Sequence, residues 1–142
     1  MSAARAFRSA TALRARATSS LIGAQRSFST SSARLIVHDV KSKQEFDEAL
    51  KNEVVLLDCF ATWCGPCKAI SPILEKLSNE DSNKGIRFIK IDVDELPELS
   101  AELGIRAMPT FMFFKDGKKA QELVGADPNT LNRLIQQYRP SA

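Results

Sequence analysis

Two cysteines separated by two residues are the feature of this sequence best suited to chemistry. Cys64 and Cys67 enclose Gly65 and Pro66 and follow an apolar run at 54–60, which is typical of a strand buried on both faces. If a helix begins at Cys64, its free N–H groups and its dipole favour the thiolate of this cysteine, whereas Cys67 lies one turn inside and is shielded. One sulfur can then attack a disulfide and the other can resolve the product, as dithiol exchange requires.

A purely structural role suits the cysteine pair less well. A structural zinc site needs four ligands, usually cysteine or histidine. The remaining candidates are Cys59, predicted to be a small core residue, and His38, predicted to lie at the surface, and they form no second pair. A structural disulfide between Cys64 and Cys67 would close a very short loop, which removes little entropy from the unfolded chain.

An acidic residue interrupts the apolar run six residues before the first cysteine. Because a carboxyl group in an apolar strand resists ionisation, the sequence predicts a raised pKa for Asp58 and an ability to exchange protons. The alternative interpretation is a carboxylate that caps the end of the strand.

The surrounding patterns predict the elements that position these residues. Strands are predicted at 35–40, 54–60, 87–93, 110–114 and 121–124. Helices are predicted at 42–51, at 66–79 with a kink at Pro72, near 96–103, and after Asp127-Pro128. Strands that alternate with helices favour parallel crossovers, and Asp116-Gly117 predicts an antiparallel hairpin. The predicted fold is α/β, a central mixed sheet with helices on both faces.

The charge of the chain is unevenly distributed. Residues 1–34 contain six arginines and no Lys, Asp or Glu, so residues 35–142 carry 14 basic against 17 acidic side chains. The basic net charge therefore belongs to residues 1–34, which we call the leader, and it gives no support to a nucleic-acid-binding surface on the rest of the chain. The apolar runs are far shorter than the roughly 18 residues that a membrane-spanning helix needs.

The leader has the composition of an organellar transit peptide, because it is rich in Ala, Ser, Thr and Arg. The segment 26–31, Arg-Ser-Phe-Ser-Thr-Ser, resembles the processing sites of mitochondrial presequences. We therefore expect a cleaved, disordered leader at 1–34, a folded domain at 35–142 and a location in the mitochondrial matrix. The mature chain would start between Phe28 and Ile36. A retained basic arm and a plastid transit peptide are the alternatives.

Several short motifs occur together in an order that is specific to one family. They are Trp-Cys-Gly-Pro-Cys-Lys at 63–68, Asp58, Pro72, Met108-Pro109-Thr110, Asp116-Gly117 and Val124-Gly125. With this set, residues 35–142 resemble the thioredoxin family, and the leader adds a resemblance to its mitochondrial members. The resemblance implies a thioredoxin fold and a protein-disulfide reductase.

The resemblance also implies a role for each site residue. Cys64 would attack the client disulfide and Cys67 would resolve the product, which leaves a redox-active Cys64–Cys67 disulfide. Asp58, with Lys90 as its charged neighbour, would exchange a proton with Cys67. Pro109 would form a cis peptide bond facing the dithiol, although the sequence alone predicts only the start of a strand. The client-docking residues would be Trp63, Gly65, Pro66, Met108, Gly125 and Ala126. Ordinary surface packing of the tryptophan and a plain turn at Gly125 are the alternatives.

Cofactor and partners follow from the same resemblance. No Gly-x-Gly-x-x-Gly motif follows a strand, so electrons are expected from NADPH through a thioredoxin reductase and not from a bound cofactor. Clients would include peroxiredoxins, and the protein would be a monomer that binds neither nucleic acid nor membrane. Pro66 stands where disulfide isomerases usually have histidine, which favours a reductant. A binding module with an idle dithiol and a metal-bridged dimer are alternative functions.

Two residues depart from the family pattern, which commonly has two aromatic residues after the buried acid. Cys59 and Phe60 occupy these positions. Phe60 keeps a ring but lacks an indole N–H, so the hydrogen bond that an indole could donate near the site is not available.

Overall fold

A five-stranded mixed sheet forms the centre of the computed structural model, which describes residues 37–141. The strands are β1 (His38–Asp39), β2 (Val54–Phe60), β3 (Ile86–Asp92), β4 (Thr110–Lys115) and β5 (Lys118–Val124). Their order is β1-β3-β2-β4-β5; the first three run parallel, and β4 and β5 are each antiparallel to the preceding neighbour. The predicted mixed sheet is confirmed, whereas the leader predicted at 1–34 lies outside the described residues.

Helices cover both faces of this sheet, as predicted. They are α1 (Lys43–Ala49), α2 (Gly65–Asn79), α3 (Pro97–Leu103) and α4 (Pro128–Tyr138), and a 3₁₀ turn at Asp81–Asn83 follows α2. Apolar residues of α2 and α4 pack in one core cluster, and those of α1 and α3 pack in a second. Within residues 37–141, no helix is long and apolar enough to cross a membrane.

The central strand β2 contributes to both clusters. Val54 and Leu56 belong to the cluster under α2 and α4, whereas Val55, Leu57 and Cys59 belong to the cluster under α1 and α3. This double burial explains the continuous apolar run in the sequence. Because side chains alternate along a strand, Asp58 lies on the α2 side of the sheet.

Local capping signals mark the helix ends. The Ser42 hydroxyl accepts a hydrogen bond from the Glu45 N–H at 3.2 Å, and the Glu45 carboxylate accepts one from the Lys41 N–H at 3.1 Å. Only half of a capping box is formed, because the Glu45 carboxylate binds the N–H of Lys41 and not that of the N-cap residue Ser42. Asp127 caps α4, and Gly104, with a φ of 73°, ends α3.

Two strands begin earlier than the sequence predicts. β3 begins one residue earlier, at Ile86, and β5 begins at Lys118 instead of residue 121. The turn residues Asp116 and Gly117 have φ values of 51° and 78°, and such a two-residue turn lets β5 start at once. The polar, exposed first half of this edge strand gives no hydrophobic signal. Of the first strand predicted at 35–40, residues 35 and 36 lie outside the described residues.

Candidate active site

The two cysteines meet where β2 gives way to α2. Cys64 is the N-cap of α2, and its Sγ accepts a hydrogen bond from the Cys67 N–H at 3.2 Å. Gly65 and Pro66 form the first two helical positions, where the missing N–H of proline costs no hydrogen bond. Cys64 and Cys67 are joined by a disulfide with their Cα atoms 5.3 Å apart. The predicted position of the pair at the helix start is confirmed.

Burial does not distinguish the two cysteines, which corrects the prediction that only Cys67 is shielded. Each is 4% exposed, since in the disulfide each sulfur lies against the other. Both pack with Ala61, and partly buried Phe60 and Met108 lie against them. The difference between the cysteines lies in their surroundings: Cys64 caps the helix, whereas Cys67 also lines a cleft that reaches the buried acid.

The buried acid has the electrostatic property that the sequence predicts. Asp58 is 4% exposed and lies between Lys90 of β3 and Phe111 of β4 in the sheet register. Burial raises the pKa of Asp58 from 3.8 to about 7, and the positive charge of Lys90 opposes this rise. The Lys90 ammonium lies over the ring of Phe60, 5.4 Å from its centroid. A carboxyl group with such a pKa can both accept and donate a proton near neutral pH.

A cleft of about 230 Å³ connects the acid with the second cysteine. Its lining comes from β2, α2 and β3 and consists of Asp58, Phe60, Ala61, Thr62, Cys67, Lys68, Ser71 and Lys90. The cleft gives Asp58 a route to Cys67 and to solvent despite its burial. The alternative of a strand-end cap is not supported, because Oδ1 of Asp58 has no hydrogen-bond partner within the described residues.

The peptide bond between Met108 and Pro109 is cis, as the family resemblance implies. Pro109 is buried, and its carbonyl accepts a hydrogen bond from the Gly125 N–H at 2.8 Å. The Thr110 hydroxyl donates to the Ala107 carbonyl at 2.6 Å, which closes the turn around the proline. Since β4 begins at Thr110, the strand start predicted from the sequence alone is also correct. Met108 brings this turn against the cysteine cluster.

The exposed rim of the site is dominated by one tryptophan. Trp63 is 67% exposed, and its indole N–H donates a hydrogen bond of 2.9 Å to the Asp94 carboxylate. Sequence reasoning missed Asp94, since no local pattern connects residues that lie 31 positions apart. The contact fixes the direction of an otherwise exposed ring.

Four other predicted docking residues lie at the start of α2 and directly after β5. Gly65 and Pro66 are exposed at the start of α2, and Ala126 is exposed after β5. Gly125 has a φ of 102°, a backbone conformation that disfavours any side chain, and its N–H binds the carbonyl of Pro109. Gly125 is therefore a turn glycine that is also tied to the cis-proline segment.

Cys59 and His38 stand apart from the site, as predicted. Cys59 is completely buried in the cluster under α1 and α3, and burial, assisted by the charge of Asp58, raises the pKa of its thiol. His38 is exposed, with its Nε2 at 3.6 Å from the Glu45 carboxylate. Among residues 37–141, no three metal-binding side chains lie together.

Comparison with known proteins agrees with this geometry. Residues 37–137 match the sequence profile of the family described as Thioredoxin. Thioredoxin-2 of Pyricularia oryzae is 47% identical over 118 residues, which cover 82% of this chain and 68% of that protein.

Two solved yeast structures resemble this chain closely. The first is that of mitochondrial thioredoxin 3 from Saccharomyces cerevisiae in its oxidised form. It has a TM-score of 0.67 and 38% identity, with 71% of this chain and 94% of that chain covered. The second comes from work on thiol resolution in a yeast mitochondrial 1-Cys peroxiredoxin via glutathione and thioredoxin systems. It has a TM-score of 0.66 and 37% identity over 71% of this chain and 94% of that chain. With its Cys64–Cys67 disulfide at the start of α2, the chain belongs to the thioredoxin family and is a dithiol–disulfide oxidoreductase of the protein-disulfide reductase type.

Proposed function

We propose that this chain reduces client disulfides in the mitochondrial matrix and is itself re-reduced by an NADPH-dependent thioredoxin reductase. The observation that carries the proposal is the Cys64–Cys67 disulfide at the start of α2, with a buried acid that shares a cleft with the second cysteine. No cofactor takes part in the exchange itself, because the two electrons that reduce the client come from the sulfurs of Cys64 and Cys67.

The reaction proceeds in two exchanges. In the reduced protein the Cys64 thiolate attacks one sulfur of the client disulfide, and the other client sulfur leaves as a thiolate. The Cys67 thiolate then attacks Cys64 in the mixed disulfide, which restores the Cys64–Cys67 bond and releases the second client thiolate. The client gains two electrons and the dithiol loses two. The helix N-terminus stabilises the attacking thiolate of Cys64.

The resolving step needs a proton acceptor, and we assign this role to Asp58. Cys67 and Asp58 line the same cleft, and the pKa of about 7 allows the carboxylate to take the Cys67 proton and return it later. Lys90, which lowers the pKa of Asp58, sets how easily the acid ionises.

Clients are proposed to dock on the apolar surface around Cys64. Trp63, Pro66 and Ala126 offer exposed side chains, and Gly65 has open space above it. Met108, next to the cis-proline Pro109, would pair its backbone with an extended client segment. Gly125, which has no side chain and is likewise open, leaves room for the client backbone.

The composition of the leader supports the proposed location in the mitochondrial matrix. We propose that residues 1–34 are a cleaved mitochondrial presequence and that residues 35–142 form the working domain. The arginine-rich, acid-free composition supports this assignment, as does the similarity to a yeast mitochondrial thioredoxin. Peroxiredoxins are the proposed clients, since one similar structure comes from work on a mitochondrial 1-Cys peroxiredoxin. We propose a monomer that acts without nucleic acid or membrane.

Trapping client proteins as mixed disulfides tests the proposed reductase function and the proposed mitochondrial location together. In cells that express the full chain with Cys67→Ser, the mixed disulfide cannot be resolved, so clients stay bound to Cys64. Mass spectrometry of trapped complexes from isolated mitochondria should identify disulfide-forming enzymes, and N-terminal sequencing should begin between Phe28 and Ile36.

The matched control combines Cys64→Ser with Cys67→Ser and should trap no client. Equal trapping by both variants would contradict the assignment of Cys64. A chain that keeps residues 1–34 and stays outside mitochondria would contradict the compartment while leaving the chemistry intact.

A further inference from the structure

Three charged residues form a row across three neighbouring strands. Asp39 of β1 is in register with Lys90 of β3, and Lys90 is in register with Asp58 of β2. Residues in register on adjacent strands project to the same face, and the strands lie about 4.8 Å apart. We call these three residues the charged row. A lysine therefore lies between two carboxylates, one buried in the cleft and one near the sheet edge.

The two carboxylates of the charged row share an unusual feature. Oδ1 of Asp39 and Oδ1 of Asp58 are the buried side-chain N and O atoms that lack a hydrogen-bond partner within residues 37–141. Buried polar atoms are nearly always paired, and each exception needs a physical reason. Both exceptions here flank Lys90, the one cationic residue that they share.

The position of the Lys90 side chain is consistent with a shared cation. Within residues 37–141 the structure places it at ion-pair distance from neither carboxylate, and its ammonium lies over the Phe60 ring. Its charge acts on Asp58 directly. A flexible lysine stem in register with both acids can turn toward either of them.

Asp39 also has a partner outside the charged row. Its Oδ2 binds the Lys41 ammonium at 2.9 Å, and that ammonium binds the Glu95 carboxylate at 2.7 Å. This contact occupies one oxygen of Asp39 and holds the side chain at the edge of the sheet. The other oxygen remains available to Lys90.

We propose that Asp39 is a positioning residue for the proton exchange at Asp58, because it offers the Lys90 ammonium a second carboxylate. When Asp58 takes the proton of Cys67 and becomes neutral, Lys90 turns to Asp39. When Asp58 releases the proton, Lys90 returns. The inference rests on the proposed proton exchange, and it adds a residue of β1 that touches neither cysteine nor client.

Among residues 37–141, the charged and titratable groups that line the cleft with Asp58 are Lys90 of β3 and Cys67 and Lys68 at α2. Asp39 of β1 and Asp92 of β3 occupy nearby register positions on the same face of the sheet, and Lys41, which follows β1, pairs with Asp39. The neighbour from β4 is Phe111, which carries no charge. In the oxidised protein Cys67 does not titrate. The pKa of Asp58 in that state therefore reports the influence of Lys90 and Asp39, the other two residues of the charged row.

The test is a carboxyl ¹³C NMR titration of Asp58 in the oxidised full-length protein. Asp39→Asn leaves Lys90 with Asp58 alone, so the pKa of Asp58 should fall by roughly one unit. Lys90→Met should raise it by roughly one unit. In the Lys90→Met background, Asp39→Asn should no longer shift it, since the effect passes through the lysine. Asp47→Asn, which removes an equal charge from exposed α1, should cause no shift.

The pH profile of mixed-disulfide resolution should move with the NMR midpoint in the Asp39→Asn variant. An unchanged or raised pKa of Asp58 in that variant would overturn the inference. An equal shift in the Lys90→Met background would overturn it as well, because Asp39 would then act directly. Neither result would affect client trapping by Cys67→Ser, so failure of the inference and failure of the proposed reductase function are separable.

Discussion

Asp58 and Cys59 are neighbours in β2, but they lie on opposite faces of the sheet. Asp58 faces a cleft that also contains Cys67 and Lys90, whereas Cys59 is enclosed in the apolar cluster under α1 and α3. Burial raises the pKa of both groups. For the carboxyl group this moves the pKa to about 7, and for the thiol it moves the pKa further from neutrality.

Burial has opposite functional consequences for the carboxyl group and for the thiol. A buried acid becomes a proton carrier near pH 7 because its ordinary pKa lies far below that value. A buried thiol becomes inert because its ordinary pKa already lies above it. The cleft then decides which group can exchange with its surroundings. Asp58 should therefore be functional and Cys59 structural.

The largest expected effect is on activity. Cys64→Ser should lower the rate of insulin disulfide reduction by roughly 10³-fold or more, because the variant has no thiolate to form the mixed disulfide. Cys59→Ala should keep the rate within about twofold, since its thiol is buried away from the cleft. The measurement is insulin reduction with dithiothreitol as electron donor. A comparable loss in the two variants would abolish the contrast between the cysteines.

The second prediction concerns the pH dependence of stability. Asp58 loses its proton near pH 3.8 in the unfolded chain and near 7 in the folded protein. Between these values the folded state holds a proton that the unfolded state lacks, so the free energy of unfolding falls as pH rises. The loss of unfolding free energy accumulates between pH 3.8 and about pH 7, and its total is about 4 kcal/mol. Asp58→Asn should remove this loss, which denaturant unfolding of the oxidised protein at pH 4 and pH 8 can measure.

Cys59→Ala is the matched control for that experiment. It changes the neighbouring buried residue and should leave the difference in stability between pH 4 and pH 8 as in the unchanged protein. If Asp58→Asn gave the same pH dependence as the unchanged protein, Asp58 would not have the raised pKa on which the contrast depends.

Much of this contrast can be predicted from the sequence. Strand alternation separates Asp58 from Cys59, and the apolar run around them predicts burial and therefore the direction of the carboxyl pKa. The start of α2 next to Cys64, within one residue of the predicted position, follows from the order of strand and helix signals. These features depend on residues that are close together along the chain, so local patterns in the sequence predict them.

The remaining features depend on pairings between distant segments. The contact between Trp63 and Asp94 and the register of Asp39 with Lys90 join residues that no local pattern connects. The equal burial of the two cysteines depends on the disulfide itself. No sequence signal predicts the first half of β5, because an exposed edge strand needs no apolar residues to pair.

The third prediction uses a polar substitution at the buried thiol. Cys59→Ser places a hydroxyl in an apolar cluster, which should lower the free energy of unfolding by about 1–3 kcal/mol. The rate of insulin reduction should not change under conditions where the variant is folded. Denaturant unfolding and the same activity assay measure the two quantities. A loss of activity with unchanged stability would place Cys59 in the functional site.

The smallest expected effect concerns the exposed rim, which adds a third environment to the comparison. Asp94→Ala removes the acceptor of the Trp63 indole N–H, and a hydrogen bond in such a place contributes about 0.5–1.5 kcal/mol. The KM for a protein client should rise about 2- to 10-fold with kcat unchanged, because docking is weakened and the sulfur chemistry is not. Asp94→Asn keeps an acceptor and should show a smaller rise. The fluorescence of Trp63, the single tryptophan of the chain, reports the loss of the contact independently. A fall in kcat would mean that the indole contact acts on the dithiol itself, and the rim would then belong with the cleft.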